Sequence, residues 1–238
     1  MPWRSTSTCL PNNKSVAEHR LKLLQKRLIK NEDLRKKYTD FIEDLFVKRY
    51  AERVPSSELK RTDGRLWYLP HHSVVNPHKP DKTRVVFDCA ATYKGTSLNS
   101  QVLQGPDLAN NLVGVLMRFR ENPVALMADI EAMFLQIKVY PGDVDALRFL
   151  WFPGNDVRQE PVECRMLVHL FGGVWSPSCA NFALRKTAED HSSEFEEEVI
   201  STVEKNFYVD DCLKSVETEG QAIEADEAIN HVAVPGWV

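Results

Sequence analysis

Tyr208-Val209-Asp210-Asp211 closes an apolar run, Asn206-Phe207-Tyr208-Val209, and a second short run, Cys212-Leu213, follows it. Two apolar runs around a pair of turn-forming residues read as a strand, a tight turn and a returning strand. Asp is a favoured turn residue, so an Asp pair alone would be an ordinary solvated loop. Two carboxylates at one hairpin tip nevertheless repel each other unless a cation sits between them. The rest of the chain decides which reading holds.

Working outward from the hairpin, residues 193–205 have helical spacing, and Ser176-Pro177 opens another helix running to about residue 188. Ser suits the N-cap and Pro the first helical position. Pro123-Val124-Ala125-Leu126-Met127-Ala128-Asp129 reads as a buried strand ending in an acid, and residues 136–139, 147–152 and 162–168 as further strands. Residues 108–120 carry an amphipathic helical pattern. Leu66-Trp67-Tyr68-Leu69 leads into Ser73-Val74-Val75; Asn76-Pro77-His78-Lys79-Pro80-Asp81 is dense in turn formers, and Thr83 to Asp88 returns. This predicts a β-hairpin with a basic tip. From residue 15 to 50 Leu21, Leu24 and Leu28 share one helical face, and Leu34, Tyr38, Phe41, Ile42 and Leu45 repeat the spacing, with Asn31 capping the second of two helices. Residues 1–13 read as a flexible lead, and an amphipathic helix begins after Gly220.

The chain has 238 residues, 43% hydrophobic and 27% charged, ordinary values for a globular protein. No run approaches the roughly 18 apolar residues that cross a bilayer, and no signal peptide is visible, so an intracellular protein without membrane partners is expected. Five scattered cysteines without a CxxC pair argue against a zinc knuckle or a disulfide framework. Charge is uneven. Residues 14–50 hold eleven Lys/Arg against six Asp/Glu, and residues 187–238 hold two against fourteen. The basic segment suits phosphates or is simply a solvated face; the acidic one speaks against nucleic-acid contact there.

Asp129, Asp210 and Asp211 are the acids placed at strand ends or turns. Hard cations such as Mg²⁺ take oxygen ligands and keep substrate phosphates in their shell. Carboxylates on neighbouring strands can hold two ions about 4 Å apart, the arrangement that lowers the charge barrier for in-line attack of a hydroxyl on a phosphate.

Asp129-Ile130-Glu131-Ala132-Met133-Phe134 resembles the first catalytic motif of reverse transcriptases. Three more segments resemble the same family in the same order: Arg84-Val85-Val86-Phe87-Asp88, Phe171-Gly172-Gly173-Val174-Trp175-Ser176-Pro177, and Tyr208-Val209-Asp210-Asp211. The resemblance implies that Asp129, Asp210 and Asp211 bind Mg²⁺ or Mn²⁺ and are catalytic. It implies that Arg84, with Lys79 or Lys82, meets a deoxynucleoside triphosphate, that Phe134 screens the sugar, and that Gly172 packs near the nucleotide. Phe171 departs from the Gln of many retroviral members. Tyr68-Leu69-Pro70-His71-His72-Ser73-Val74, Thr83 to Asp88, Ser97-Leu98-Asn99, Gly105-Pro106-Asp107-Leu108 and Leu116-Met117-Arg118-Phe119-Arg120 resemble the Pao/BEL class of long-terminal-repeat retrotransposon polyproteins. His71 and His72 are poor co-ligands, because adjacent strand residues face opposite ways.

The implied fold is α+β: a right-hand polymerase palm, an antiparallel sheet backed by helices, with a fingers β-hairpin and a helical N-terminal lead. The expected divisions are a lead (1–13), a helical segment (14–55), fingers and palm (56–225) and a truncated tail (226–238). Thumb and ribonuclease H motifs are not visible, nor are the protease and integrase sets of a parent polyprotein, so a fragment is expected. The implied activity is RNA-directed DNA synthesis on an RNA or DNA template with a primer. The alternative is an inactive remnant that at most binds nucleic acid.

Overall fold

The computed structural model describes residues 1–61, 63–76 and 79–233, with the side chains of 75, 76, 79–82 and 230–233 outside the description. In chain order the elements are α1 (Lys14–Lys30), α2 (Glu32–Val47), β1 (Ala51–Arg53), β2 (His71–Asn76), β3 (Lys79–Phe87), α3 (Leu98–Gln101), α4 (Leu112–Arg118), β4 (Val124–Asp129), β5 (Arg148–Trp151), β6 (Val162–Met166), α5 (Ser176–Asp190), α6 (Glu197–Lys205), β7 (Phe207–Tyr208), β8 (Asp211–Val216) and α7 (Glu219–Ala233). The chain forms two compact units, residues 1–103 with 139–175, and residues 104–138 with 176–238. It is a mixed fold of helices and antiparallel sheets.

In the first unit the Asn31 side chain accepts from the Leu34 amide (2.9 Å) and separates α1 from α2, as the sequence predicts. The apolar stripes of both helices are buried, Leu28, Tyr38 and Ile42 completely. Each such side chain contributes about 1.5–3 kcal/mol by leaving water. Tyr38 stacks on Trp151 at 5.3 Å between ring centroids and bonds to His71 Nδ1. The other imidazole nitrogen, Nε2, faces the Leu150 carbonyl at 3.0 Å, so it carries the hydrogen, and Nδ1 accepts from the tyrosine. His71 is thus a core residue with both nitrogens used.

β5 lies in a three-stranded antiparallel sheet, order β1-β6-β5, and all four of its residues are buried: Phe149, Leu150 and Trp151 as their apolar run implies, and Arg148 against it. β2 and β3 form the predicted hairpin, with Val74 opposite Arg84. Pro77 and His78, in its basic tip, lie outside the described residues. Leu66 to Leu69 make no strand of the sheet, contrary to expectation. Tyr68 forms a single parallel bridge to Arg148, while the Asn13 amide takes Tyr68's N–H (2.8 Å) and C=O (2.7 Å) and ends the ladder there. Residues 1–13 are largely irregular, but Leu10 is buried and the Trp3 indole donates to Asp143 (2.8 Å).

In the second unit β4, β8 and β7 form an antiparallel sheet in that order. A core of Met133, Ala180, Leu184, Ala188, Val203, Phe207, Cys212 and Ile229 joins it to α5, α6 and α7. β4 is not the fully buried strand predicted. Leu126 and Ala128 pack on that core, while Ala125, Met127 and Asp129 are exposed, since helices cover one face of the sheet. The helix predicted over 108–120 is only α4, because Asn111 caps it at Gly114 (3.1 Å) and the residues before it bond elsewhere. The strand predicted over 136–139 does not form: Gln136 ends a 3₁₀ turn, Met133–Gln136, set off by Ala132 at φ +51°, and beyond it Lys138 makes only an isolated bridge. Ser176 is the first helical residue of α5 rather than its cap, and its hydroxyl is buried without a partner. The helix predicted over 193–205 begins only at Glu197. All five cysteines are free. Among the described residues no helix is long and apolar enough to cross a membrane.

Candidate functional site

The hairpin begins where α6 ends at Asn206. The Leu213 amide donates to the Asn206 carbonyl (2.9 Å), and the Asn206 side chain donates back to the Leu213 carbonyl (2.9 Å), closing its base. Phe207 faces Cys212 and Tyr208 faces Asp211, which leaves Val209 and Asp210 as a two-residue turn. Val209 has φ +59°, a left-handed conformation that a β-branched residue adopts only under constraint.

β8 then runs antiparallel to β4 with Asp211 opposite Asp129. The Ile130 amide donates to the Asp210 carbonyl at 3.0 Å, so the turn is tied to the chain just past Asp129. Residues directly opposite on paired strands project from the same face, so Asp129 and Asp211 leave the sheet on its uncovered side. Both are exposed, and Asp210 is half-buried. The Asp129 carboxyl is held above its ordinary range, first by partial desolvation and then by the charges of Asp210, Asp211 and Glu131. Like charges directly opposite each other destabilise a sheet.

Among the described residues no group of three or more His, Cys, Asp or Glu side chains is arranged as a ready-made metal cluster. The three acids suit a hard cation by their donor chemistry and mutual repulsion rather than by a preformed cage. Phe134 lies in the 3₁₀ turn beyond Asp129, half-buried against the core of the second unit.

The remaining predicted residues belong to the first unit. Arg84 on β3 is exposed. Lys79 and Lys82 are on the same strand, with side chains outside the described residues. Gly172 has φ +102°, and an added Cβ would lie 3.1 Å from the Phe87 carbonyl. Asn99 donates to the Gly172 carbonyl (3.0 Å) and accepts from the Val174 amide (3.1 Å), so two predicted motifs, Ser97-Leu98-Asn99 and Phe171-Gly172-Gly173, meet here.

Two of the solved structures that share this fold are viral proteins. One is the foamy viral protease-reverse transcriptase in complex with double-stranded DNA, with a TM-score of 0.59 and 16% identity over 84% of this chain. The other is a selenomethionine-labelled mutant of the Prototype Foamy Virus protease-reverse transcriptase, with a TM-score of 0.60 and 14% identity over 87% of this chain. The chain has a reverse-transcriptase-like fold. It spans 29% and 23% of the lengths of those two chains. No protein-family description and no curated protein matches its sequence.

Within this reverse-transcriptase-like fold, sequence reasoning did not single out Glu131, whose charge reaches Asp129, or the strained Val209. Glu131 was visible two positions after the acid. Val209 carried no signal, because a valine between Tyr and Asp looks like a strand residue.

Proposed function

We propose that the chain carries the fingers and palm of an RNA-directed DNA polymerase of the Pao/BEL retrotransposon class, extending a primer on an RNA or DNA template. The observation that carries this reading is the register that sets Asp129 opposite Asp211, with the Asp210 carbonyl bonded at Ile130. A stable fold gains nothing from stacking three carboxylates at one sheet end.

Asp129, Asp210 and Asp211 would hold Mg²⁺ or Mn²⁺, which supplies charge neutralisation for attack of the primer 3′-hydroxyl on the α-phosphorus of a deoxynucleoside triphosphate. The protein's share is positioning. The strained turn presents Asp210, the β4–β8 ladder presents Asp129 and Asp211, and Ala132 starts the turn that carries Phe134, the proposed sugar-screening residue. Arg84, with Lys79 or Lys82, remains the residue proposed for the triphosphate. Nucleic-acid binding is supported by the neighbour solved with double-stranded DNA.

Primer extension on an RNA template with Mg²⁺ or Mn²⁺, compared with D210N, tests this. Extension that D210N abolishes is the expected result. Silence from both proteins, with salt-sensitive RNA binding retained, would instead make the chain an inactive remnant.

A further inference from the structure

Residues 104–111 have no regular structure, yet they are tied down at several points. Gly105 (φ +83°) passes so close to α5 that an added Cβ would lie 2.4 Å from Ser178 Oγ. Arg185 of α5 donates through a single nitrogen, Nη2, to the Leu108 carbonyl (2.9 Å) and to Asn110 Oδ1 (3.2 Å). Asn110 Nδ2 in turn donates to the Phe207 carbonyl (2.8 Å).

That last carbonyl matters. Antiparallel pairs alternate between bonded and non-bonded. Asn206 and Leu213 exchange a bond, so the next pair, Phe207 and Cys212, does not, and the Phe207 carbonyl faces off the open edge of β7. Two residues pair β7 with β8, and a left-handed Val209 follows. So short an edge strand has little of its own to resist the strain of the turn.

We propose that Asn110 and Arg185 are positioning residues, which pin the outer edge of β7 and so keep Asp210 beside Asp129. This rests on the polymerase reading above. Neither residue touches substrate. Arg185 orients the Asn110 amide so that its NH₂ faces β7, and Asn110 satisfies the one strand carbonyl that the sheet leaves open. The Gly105-Pro106-Asp107-Leu108 segment is the strap that carries Asn110 across α5.

The test uses the full chain and the variants N110A, R185M and R185K, with V203A as a core-cavity control. Amide hydrogen exchange over residues 206–213 is read with no metal or substrate present, beside steady-state primer extension. In N110A and R185M, exchange at the hairpin should rise about tenfold or more. Their kcat should fall about ten- to a hundredfold with KM for the triphosphate unchanged, because misplacing a catalytic group costs rate rather than binding. R185K should stay near the parent in both readouts, since one ammonium can replace the one nitrogen that makes both contacts. V203A should lower the thermal midpoint and leave kcat at 25 °C intact. Unchanged hairpin exchange in N110A and R185M overturns the proposal. So does a fall in kcat that merely tracks thermal stability across all variants, V203A included, or R185K behaving like R185M. If the parent chain extends no primer, the polymerase reading fails, and the exchange measurement alone decides whether the strap pins the hairpin.

Discussion

Replacing Arg148 with Met should cost the first unit about 3–5 kcal/mol, the range for removing one partner of a buried ion pair. Arg148 is fully buried at the start of β5. Its guanidinium donates to Asp145 (2.8 Å), Glu163 (2.7 Å) and the carbonyls of Leu59 (3.2 Å) and Glu58 (2.6 Å). Met keeps the apolar stem but not the guanidinium, so the loss is chiefly electrostatic. Asp145 retains Arg61 (2.5 Å) and Arg165 (3.3 Å), and Glu163 retains Lys14 (2.7 Å) and Tyr68 (2.9 Å), which places the pair loss near the bottom of that range. The two abandoned carbonyls add about 1 kcal/mol each. For a protein of this size the change corresponds to a fall in Tm of roughly 6–20 °C. The effect should also depend on pH. Burial pushes the Asp145 and Glu163 carboxyls up, but their hydrogen bonds outweigh it and hold both below their ordinary values. A depressed carboxyl lends stability above its unfolded pKa and loses it as pH falls through the folded one. The R148M penalty should therefore be largest near neutrality and shrink in acid. Urea unfolding followed by tryptophan fluorescence at pH 7 and pH 4 measures both. A penalty under about 1 kcal/mol at pH 7, or one that grows in acid, would refute the reasoning.

His71 is buried with a pKa lowered to about 4 from 6.5, chiefly by desolvation, so the unfolded chain takes its proton first. Stability should fall by about 1.4 kcal/mol per unit as pH drops from 6.5 towards 4, and H71Q should flatten that slope in urea titrations. G172A forces a side chain into φ +102° against the Phe87 carbonyl and should destabilise by about 1–3 kcal/mol in the same measurement. V209G removes a left-handed strain of about 1–2 kcal/mol at a cost of about 0.4–1 kcal/mol in unfolded-chain entropy, so its unfolding midpoint should rise slightly. D129N should cut primer extension by a factor of about 10²–10³, read as single-turnover rate at saturating Mg²⁺, while relief of the like-charge pair raises Tm slightly.

What the sequence made legible followed local rules. The Asn31 boundary and the β2–β3 hairpin depend on residues within a few positions of one another and formed as the pattern implies, whereas the hairpin after Asn206 formed with its turn one residue early, at Val209-Asp210 instead of the Asp210-Asp211 pair, so that Asp211 opens the returning strand. β4 was read as buried because its composition is apolar, but composition does not reveal whether one face of a sheet or two will be covered. Arg148 is the opposite case. A charged residue beside Phe149-Leu150-Trp151 looks like the solvent end of a strand, yet it is fully buried because Glu163 and the carbonyls of Glu58 and Leu59, the last two 90 and 89 positions away, converge on it together with the nearby Asp145. Likewise Asn110 gave no signal, since its partners Arg185 and Phe207 lie 75 and 97 positions away. Motif order puts Asp129 and the hairpin acids on neighbouring strands, but that Asp129 stands directly opposite Asp211 follows from strand register alone.

The energetic balance at that register is the strongest argument that it serves a function. Val209 and Ala132 hold positive φ on either side of the acids, and a non-glycine residue there costs of order 1–3 kcal/mol. Asp129 and Asp211 are paired as like charges, with Glu131 adding to the repulsion. A one-residue slip of β8 against β4 would part the two carboxylates, but it would also turn Cys212 and Lys214, both buried, out of the core. The packing of the second unit therefore forces the acids together, and the strain of the turn and the repulsion of the carboxylates are carried by the core beneath them. Either cost could be removed by a single substitution to Gly or Asn with the core untouched. Both costs fall at the end of the sheet where Asp129 meets the hairpin, and a bound cation would relieve the repulsion that the fold by itself leaves in place.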